Sequence, residues 1–236
     1  MERVAYPGLL QPLPVPGGTW ESITMDFIKG LPSLEGRNAI TVVVDRFTKY
    51  EHFIALTHPF TAQDIAQLFL YHFYKFHGLP AVIVTDRDRI FTSVFWKEFF
   101  KKLGVMMLMS TTYHPQTDEQ TKRVNQCLET YLRCMTMHQP KQWFQWLLLA
   151  QWWYNSSHHA TLGMSHFQAL YCYAPPQMEW LAQEPTPIAA VEEVLQGRAN
   201  MDHTLKKQLE TARHKMKQLS DKKLTEREFA EGDWVF

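Results

Sequence analysis

A short unbroken apolar run, residues 81–85 (AVIVT), ends on a carboxylate, Asp86. A run without polar alternation predicts a strand covered on both faces, hence a parallel strand inside a sheet. Helical patterns flank it on both sides. Residues 61–77 carry Ile65, Leu68, Phe69, Phe73 and Phe76 at helical spacing, with Thr61 and Asp64 as a start signal and Gly78 and Pro80 as a stop. Ser93 to Leu103 is predicted to be a second helix with Phe95, Phe99 and Leu103 inward, stopped by Gly104. Residues 105–111 form a further strand. The chain must therefore fold as α/β, with helices covering a sheet.

Upstream lie three β-rich runs. In residues 20–28, Ile23, Met25 and Phe27 share one face, and Asp26 lies on the other with Thr24 and Ile28. A loop with Gly30, Pro32 and Gly36 follows. Runs 39–45 and 51–57 then complete three successive antiparallel strands. Downstream, a polar loop, Thr112–Asp118, leads into a helix reaching His138. Its apolar stripe is Val124, Leu128, Tyr131, Leu132 and Met135. Asp118 suits the helix cap. Pro140 precedes a tryptophan-rich helix, 143–155, whose rings are expected in the core. A short helix spans Ser165 to Tyr171. The order gives a mixed five-stranded sheet flanked by helices, followed by a helical C-terminal extension.

The 24 basic and 24 acidic residues cancel, so bulk charge points to no partner and any basic surface is local. Cys127, Cys134 and Cys172 form no CxxC pair and no zinc spacing. Cys127 and Cys134, seven apart on a helix, read as buried thiols of a reducing compartment. No apolar run reaches the ~20 residues of a membrane span, and no signal layout opens the chain. The division expected is an extended arm, 1–19; a core, 20–173; a proline-rich linker, 174–189; a basic helix, 190–225; and a strand-like end, 226–236. The basic helix keeps a 4-3-4-3 seam through Leu205, Leu209, Ala212, Met216 and Leu219. Its lysines suit a solvated face first, with contact to phosphates as the alternative.

Asp26 and Asp86 are both placed at strands. Carboxylates on neighbouring strands suit Mg²⁺ or Mn²⁺, which take oxygen ligands and retain waters. A turn role suits either acid as well. Asp45 is expected to anchor the second hairpin and Asp88 to serve a turn.

Longer segments carry a resemblance. MDFIKGLP, VVVDRFTKYEHFIAL, VTDRDRIFTSVFWKEFFKKLG, STTYHPQTDEQT and WWYNSSHHATLGMSHFQALY closely resemble the integrase of gypsy-type LTR retrotransposons, within the retroviral-integrase superfamily. The resemblance covers roughly residues 9 to 236. It implies a ribonuclease-H-like core with two Mg²⁺ (or Mn²⁺) ions held by Asp, Asp and Glu. It implies polynucleotidyl transfer: trimming of element ends and their joining to target DNA, in a nuclear or cytoplasmic setting. It places the first two acids on Asp26 and Asp86 and assigns both to catalysis and metal binding.

The glutamate should stand 36 positions after Asp86, where this chain has Lys122. The flanks hold the register: the family reads GQTERVN and this chain EQTKRVN, departing at Glu119 and Lys122. An ammonium there removes a ligand and repels divalent cations; at ~4 Å two unit charges interact by about 4 kcal/mol at an effective dielectric of 20. Asp-Asp-Lys in place of Asp-Asp-Glu predicts a catalytically impaired core. A non-enzymatic nucleic-acid-binding or protein-interaction module on the same fold is the alternative. Glu119, one helical turn before Lys122, is a weak candidate to compensate. The resemblance also turns Tyr113, His114, Gln116, Gln120 and Arg123 toward DNA and implies a homo-oligomer. The family's upstream zinc module has no counterpart in the chain, and residues 226–236 match only the start of its downstream β-barrel.

Overall fold

The computed structural model describes residues 15–109, 116–137 and 139–176, with Lys207 and His214 beyond them; the side chains of 116–120 are not included. The chain divides into two units, Met1–Pro176 and Gln177–Phe236, and the fold below belongs to the first. The expected arm to residue 14, the linker from 177, nearly all of the basic helix and the strand-like end lie outside the described residues.

Three antiparallel strands come first: β1 (Ser22–Leu34), β2 (Arg37–Asp45) and β3 (Glu51–Leu56). β4 (Val82–Thr85) and β5 (Met106–Met109) add in parallel, giving the order β3-β2-β1-β4-β5. The mixed five-stranded sheet is the one the sequence predicts, and β4 lies between two strands as its unbroken apolar run requires. β1 is longer than expected. The predicted loop at 29–38 is a two-stranded ribbon, irregular between Lys29 and Leu34. It closes at Glu35 and Gly36, both at positive φ (52° and 82°), the backbone of a tight turn between twisted strands. Gly36 meets that demand without strain. Trp143 Nε1 pins the ribbon by donating to Pro32 O at 2.7 Å.

Successive residues alternate between the faces. Ile23, Met25, Val43 and Ile83 face the core that holds Phe69, Phe73, Trp96 and Phe100. Thr24, Asp26, Val42, Val44, Glu51 and Phe53 line the opposite face, where α5 (Gln116–Thr136) and α6 (Trp143–Ser156) pack. Val124, Leu128, Tyr131 and Leu132 of α5 are buried as its stripe predicts.

The first helix departs from its pattern. α1 (Ala62–Phe69) starts with the Thr61–Asp64 capping box. It passes through one π-helical turn, Leu70–Tyr74, before α2 (Lys75–His77) ends at Gly78. A π turn carries an extra residue, so the face rotates. Phe73 stays fully buried, whereas Phe76, predicted inward, is 67% exposed. The next helical region is split into α3 (Arg89–Thr92) and α4 (Val94–Lys102), with Ser93 capping α4. Trp96 and Phe100, not Phe95 and Leu103, fill the core. Their rings pack with Phe91 and Phe69, an aromatic cluster that outweighs the alternative stripe. Phe99 packs partly against that core.

Two further expectations are corrected. Cys127 is exposed and Cys134 half-buried, because Leu128 and Tyr131 occupy the inward positions between them. The tryptophans of α6 do not all enter the core: Trp143 does, Trp153 is half-buried and stacks on Tyr131, and Trp152 is 38% exposed. A small hairpin, β6 (His158–His159) with β7 (Met164–Ser165), and α7 (His166–Tyr171) complete the described fold.

β3 is an edge strand whose free backbone groups α6 occupies. Phe53 N donates to Gln151 Oε1 at 2.8 Å. Asn155 accepts from Glu51 N and donates to Glu51 O, both at 2.9 Å. Side chains four apart on one helix thus close an edge that would otherwise pair with another chain.

Candidate active site

Parallel pairing of β1 with β4 aligns Met25 with Thr85. Asp26 and Asp86 are the next residue on each strand, so the two acids stand side by side, each half-buried. Strands ~4.8 Å apart bring such carboxylates within reach of one ion. Both also serve the local backbone. Asp26 Oδ1 accepts from Phe27 N at 2.7 Å, and Asp86 Oδ1 accepts from Asp88 N at 3.0 Å. Asp88 in turn caps α3 through Ile90 N and pairs with Lys29, which lies over the Phe27 and Phe60 rings. The loop after Asp86 is therefore tied back to β1 by an ion pair.

α5 crosses this face with two contacts, one turn apart. Thr121 Oγ1 donates to Thr24 Oγ1 at 3.2 Å, and Asn125 Nδ2 donates to Asp26 Oδ2 at 2.8 Å. Lys122 sits between them in sequence, with its side chain exposed. The bracket fixes which stretch of helix lies along the acids: Thr121 and Asn125 face β1, and Lys122 between them is exposed. Asn125 Oδ1 is buried without a hydrogen-bond partner.

Two Mg²⁺ ions need a larger donor set than this. Among the described residues no three His, Cys, Asp or Glu side chains form a group that could hold a metal. Asp26 and Asp86 supply oxygen ligands suited to one divalent ion, and Lys122 on α5 is exposed. Among the described residues the donor set does not fit a two-ion centre.

The other predicted residues divide. Arg123 is exposed on α5. Gln116 and Gln120 belong to its first turns by backbone, and Glu119 lies between them, their side chains outside the described residues. Tyr113 and His114 lie wholly outside. Asp118 is inside the first turn of α5, which begins at Gln116, so it is not the residue that precedes the helix. Asp45 is fully buried and accepts from Trp20 N, Thr48 N and Thr48 Oγ1, anchoring the turn between β2 and β3. Sequence reasoning missed Asn125, Thr121, Thr24 and Lys29. The four-residue spacing of Thr121 and Asn125 was the available signal, since it puts both on one helical face.

Comparison with known proteins places this geometry. The model of the integrase core domain matches residues 16–115. The Tf2-3 and Tf2-4 transposon polyproteins of Schizosaccharomyces pombe are each 38% identical over 229 residues, covering 97% of this chain. The chain spans 17% of the length of those relatives. Among solved structures, the simian T-cell lymphotropic virus intasome in complex with the B56 gamma subunit of PP2A shares the fold. Its TM-score is 0.57 at 18% identity, over 77% of this chain and 62% of that one. The HTLV-2 integrase catalytic core in complex with magnesium gives 0.52 at 17% identity, over 64% and 95%. The order of strands, the helices on both faces and the sequence kinship agree: the chain belongs to the integrase core family of retrotransposons and retroviruses, with its ribonuclease-H-like fold.

Proposed function

We propose that this chain is a retrotransposon integrase core that engages DNA but is impaired in strand transfer, because Lys122 stands where the third acid of its family belongs. One observation carries the reading. Thr121 and Asn125 tie α5 to Thr24 and Asp26, which supports placing residue 122, lysine here and glutamate in the family, on the helical segment beside the acid pair. Asp26 and Asp86 are the remaining catalytic and metal-binding acids in this reading. A divalent ion, when bound, would polarise a phosphodiester; these two side chains alone hold it weakly.

Tyr113, His114, Gln116, Gln120 and Arg123 form the proposed DNA-facing segment, at the entry to α5. The basic helix, 190–225, reached through the 174–189 linker, adds phosphate contacts. The assembly in this reading is a homo-oligomer. Binding through phosphates predicts a steep loss of affinity with salt. The deciding experiment compares the chain with its Lys122→Glu variant, using Mg²⁺ and labelled element-end DNA. The variant is expected to gain strand transfer over an inactive parent. Comparable strand transfer by the unmodified chain overturns the impairment. Loss of salt-dependent DNA binding overturns the DNA-engaging role.

A further inference from the structure

On the sheet face opposite the acid pair, three elements meet around two imidazoles. His52 of β3 and His77 at the end of α2 approach with their Nε2 atoms 2.9 Å apart. Their ring centroids are 5.0 Å apart, so the rings meet nitrogen edge to nitrogen edge. The indole of Trp20 stacks on both, at 5.4 Å from His52 and 4.0 Å from His77.

The hydrogen-bond partners settle the tautomers. Phe53 N donates to Gln151 Oε1, so the Gln151 amide turns its Nε2 toward His52 Nδ1, at 3.4 Å. His52 Nδ1 therefore accepts, and the proton of the neutral ring sits on Nε2. His77 Nε2 must be the acceptor. The donors run one way, from Phe53 through Gln151 and His52 to His77.

We propose that this relay is an acid-sensitive clasp, which holds α2 and Trp20 against β3 and α6 while both imidazoles are neutral and opens when a proton reaches Nε2 of His77. Protonation there sets two N–H donors head to head with no acceptor between them. Protonation of His52 Nδ1 instead sets an N–H against the Gln151 amide donors. Either way a hydrogen-bonded link is lost, and the attraction of the stacked Trp20 face for the cation offsets only part of that loss. The clasp closes one side of a cleft of about 380 Å³, lined also by Phe76, Leu170 and Tyr171.

The surrounding groups mostly oppose the charge. Burial, then His77 and His72, pushes His52 down to about 4. Burial lowers His77, with Asp45 alone pulling the other way. Asp45 is already engaged by Trp20 N and Thr48. Lys75 disfavours a charge on His72. Tyr50 and Tyr171 pack edge to face beside the pair, and burial raises the Tyr50 phenol, so it stays neutral. The sign follows: the clasp is intact above the ordinary histidine value of 6.5 and is lost as pH falls through the depressed folded values.

The test is an NMR titration of the whole chain from pH 7.5 to 4, following the His52 and His77 ring resonances and the Trp20 indole N–H. The two histidines are expected to titrate below 6.5 as a coupled pair, with the Trp20 signal moving alongside. In the His77→Phe variant, which removes one partner charge, the His52 midpoint should rise by about half a pH unit or more. Independent titration of both rings near 6.5 overturns the proposal, as does a Trp20 signal unmoved through the transition. An unchanged His52 midpoint in a folded variant also overturns it. If the variant does not fold, the wild-type titration decides alone.

Discussion

Replacing Glu51 by Gln should stabilise this protein increasingly as pH rises. Glu51 is fully buried on the face beneath α5 and α6, and neither carboxyl oxygen has a hydrogen-bond partner. Burial holds its carboxyl well above the usual carboxylate range, and the neighbouring Tyr154 hydroxyl pulls it back only in part. A carboxyl whose folded value is raised stabilises the fold fully below its unfolded value. It loses that contribution as pH rises toward the folded value. The slope over that window is about 1.4 kcal/mol per pH unit. For a chain of this length 1 kcal/mol moves Tm by about 2–4 °C, so the two proteins should diverge by roughly 3–5 °C per pH unit. His52 and His166, both lowered to about 4 by burial, act with the opposite sign: their contribution is lost as pH falls from 6.5. They are common to both proteins and drop out of the difference. The Gln amide carries its own desolvation cost, but that cost does not vary with pH. Thermal melts of both proteins at half-unit steps from pH 5 to 7.5 provide the check. Parallel curves would show that Glu51 keeps its charge in the folded state and would refute the reasoning.

Other perturbations separate packing from surface. Phe76→Ser should change stability by less than about 0.5 kcal/mol, whereas Phe73→Ala should cost about 3–5 kcal/mol, measured by urea unfolding; equal costs would contradict the π turn. Asn155→Ala removes two backbone hydrogen bonds from the β3 edge and should cost about 2–3 kcal/mol, read from the denaturant midpoint, with increased self-association by light scattering. Trp96→Phe should cost less than about 1.5 kcal/mol despite full burial, because the indole Nε1 has no partner and its removal relieves an orphaned donor; calorimetry measures it. Mn²⁺ binding followed by electron paramagnetic resonance should tighten at least tenfold in Lys122→Glu, since the change adds a ligand and removes a cation.

The sheet was legible because its signals are short-range and binary. An apolar run ending at Asp86, alternation through residues 20–28 and turn residues between the hairpins specify strand number, direction and register. Asp26 and Asp86 were placed at strands for the same reason, while their pairing as a site rested on the family resemblance. The helices were less legible. The π turn of residues 70–74 depends on tertiary packing of Phe69 and Phe73, and nothing in a 3.6-residue period announces it. The choice of Trp96 and Phe100 over Phe95 and Leu103 turned on a one-residue rotation set by the Ser93 break. The amides of Gln151 and Asn155 were hidden in a tryptophan-rich helix, where their role depends on an edge strand about a hundred residues away.

The Lys122 position can vary without touching the packing that holds α5. α5 is held by Thr121, Val124, Leu128, Tyr131 and Leu132, all buried, and by Asn125 through Asp26. None of these contacts uses residue 122, whose side chain is exposed. Replacing glutamate there by lysine deletes no core contact, and both residues are good helix formers, so the stability cost is small. Under the proposed function the cost to chemistry is larger, because residue 122 carries a positive charge where the family carries a carboxylate. Stability and chemistry are thus carried by adjacent residues on different faces of one helix. Substitution at Lys122 should alter ion binding and strand transfer while leaving the unfolding midpoint nearly unchanged; a large loss of stability in Lys122→Glu would show that the lysine holds the two acids together and that fold and site are not separable here.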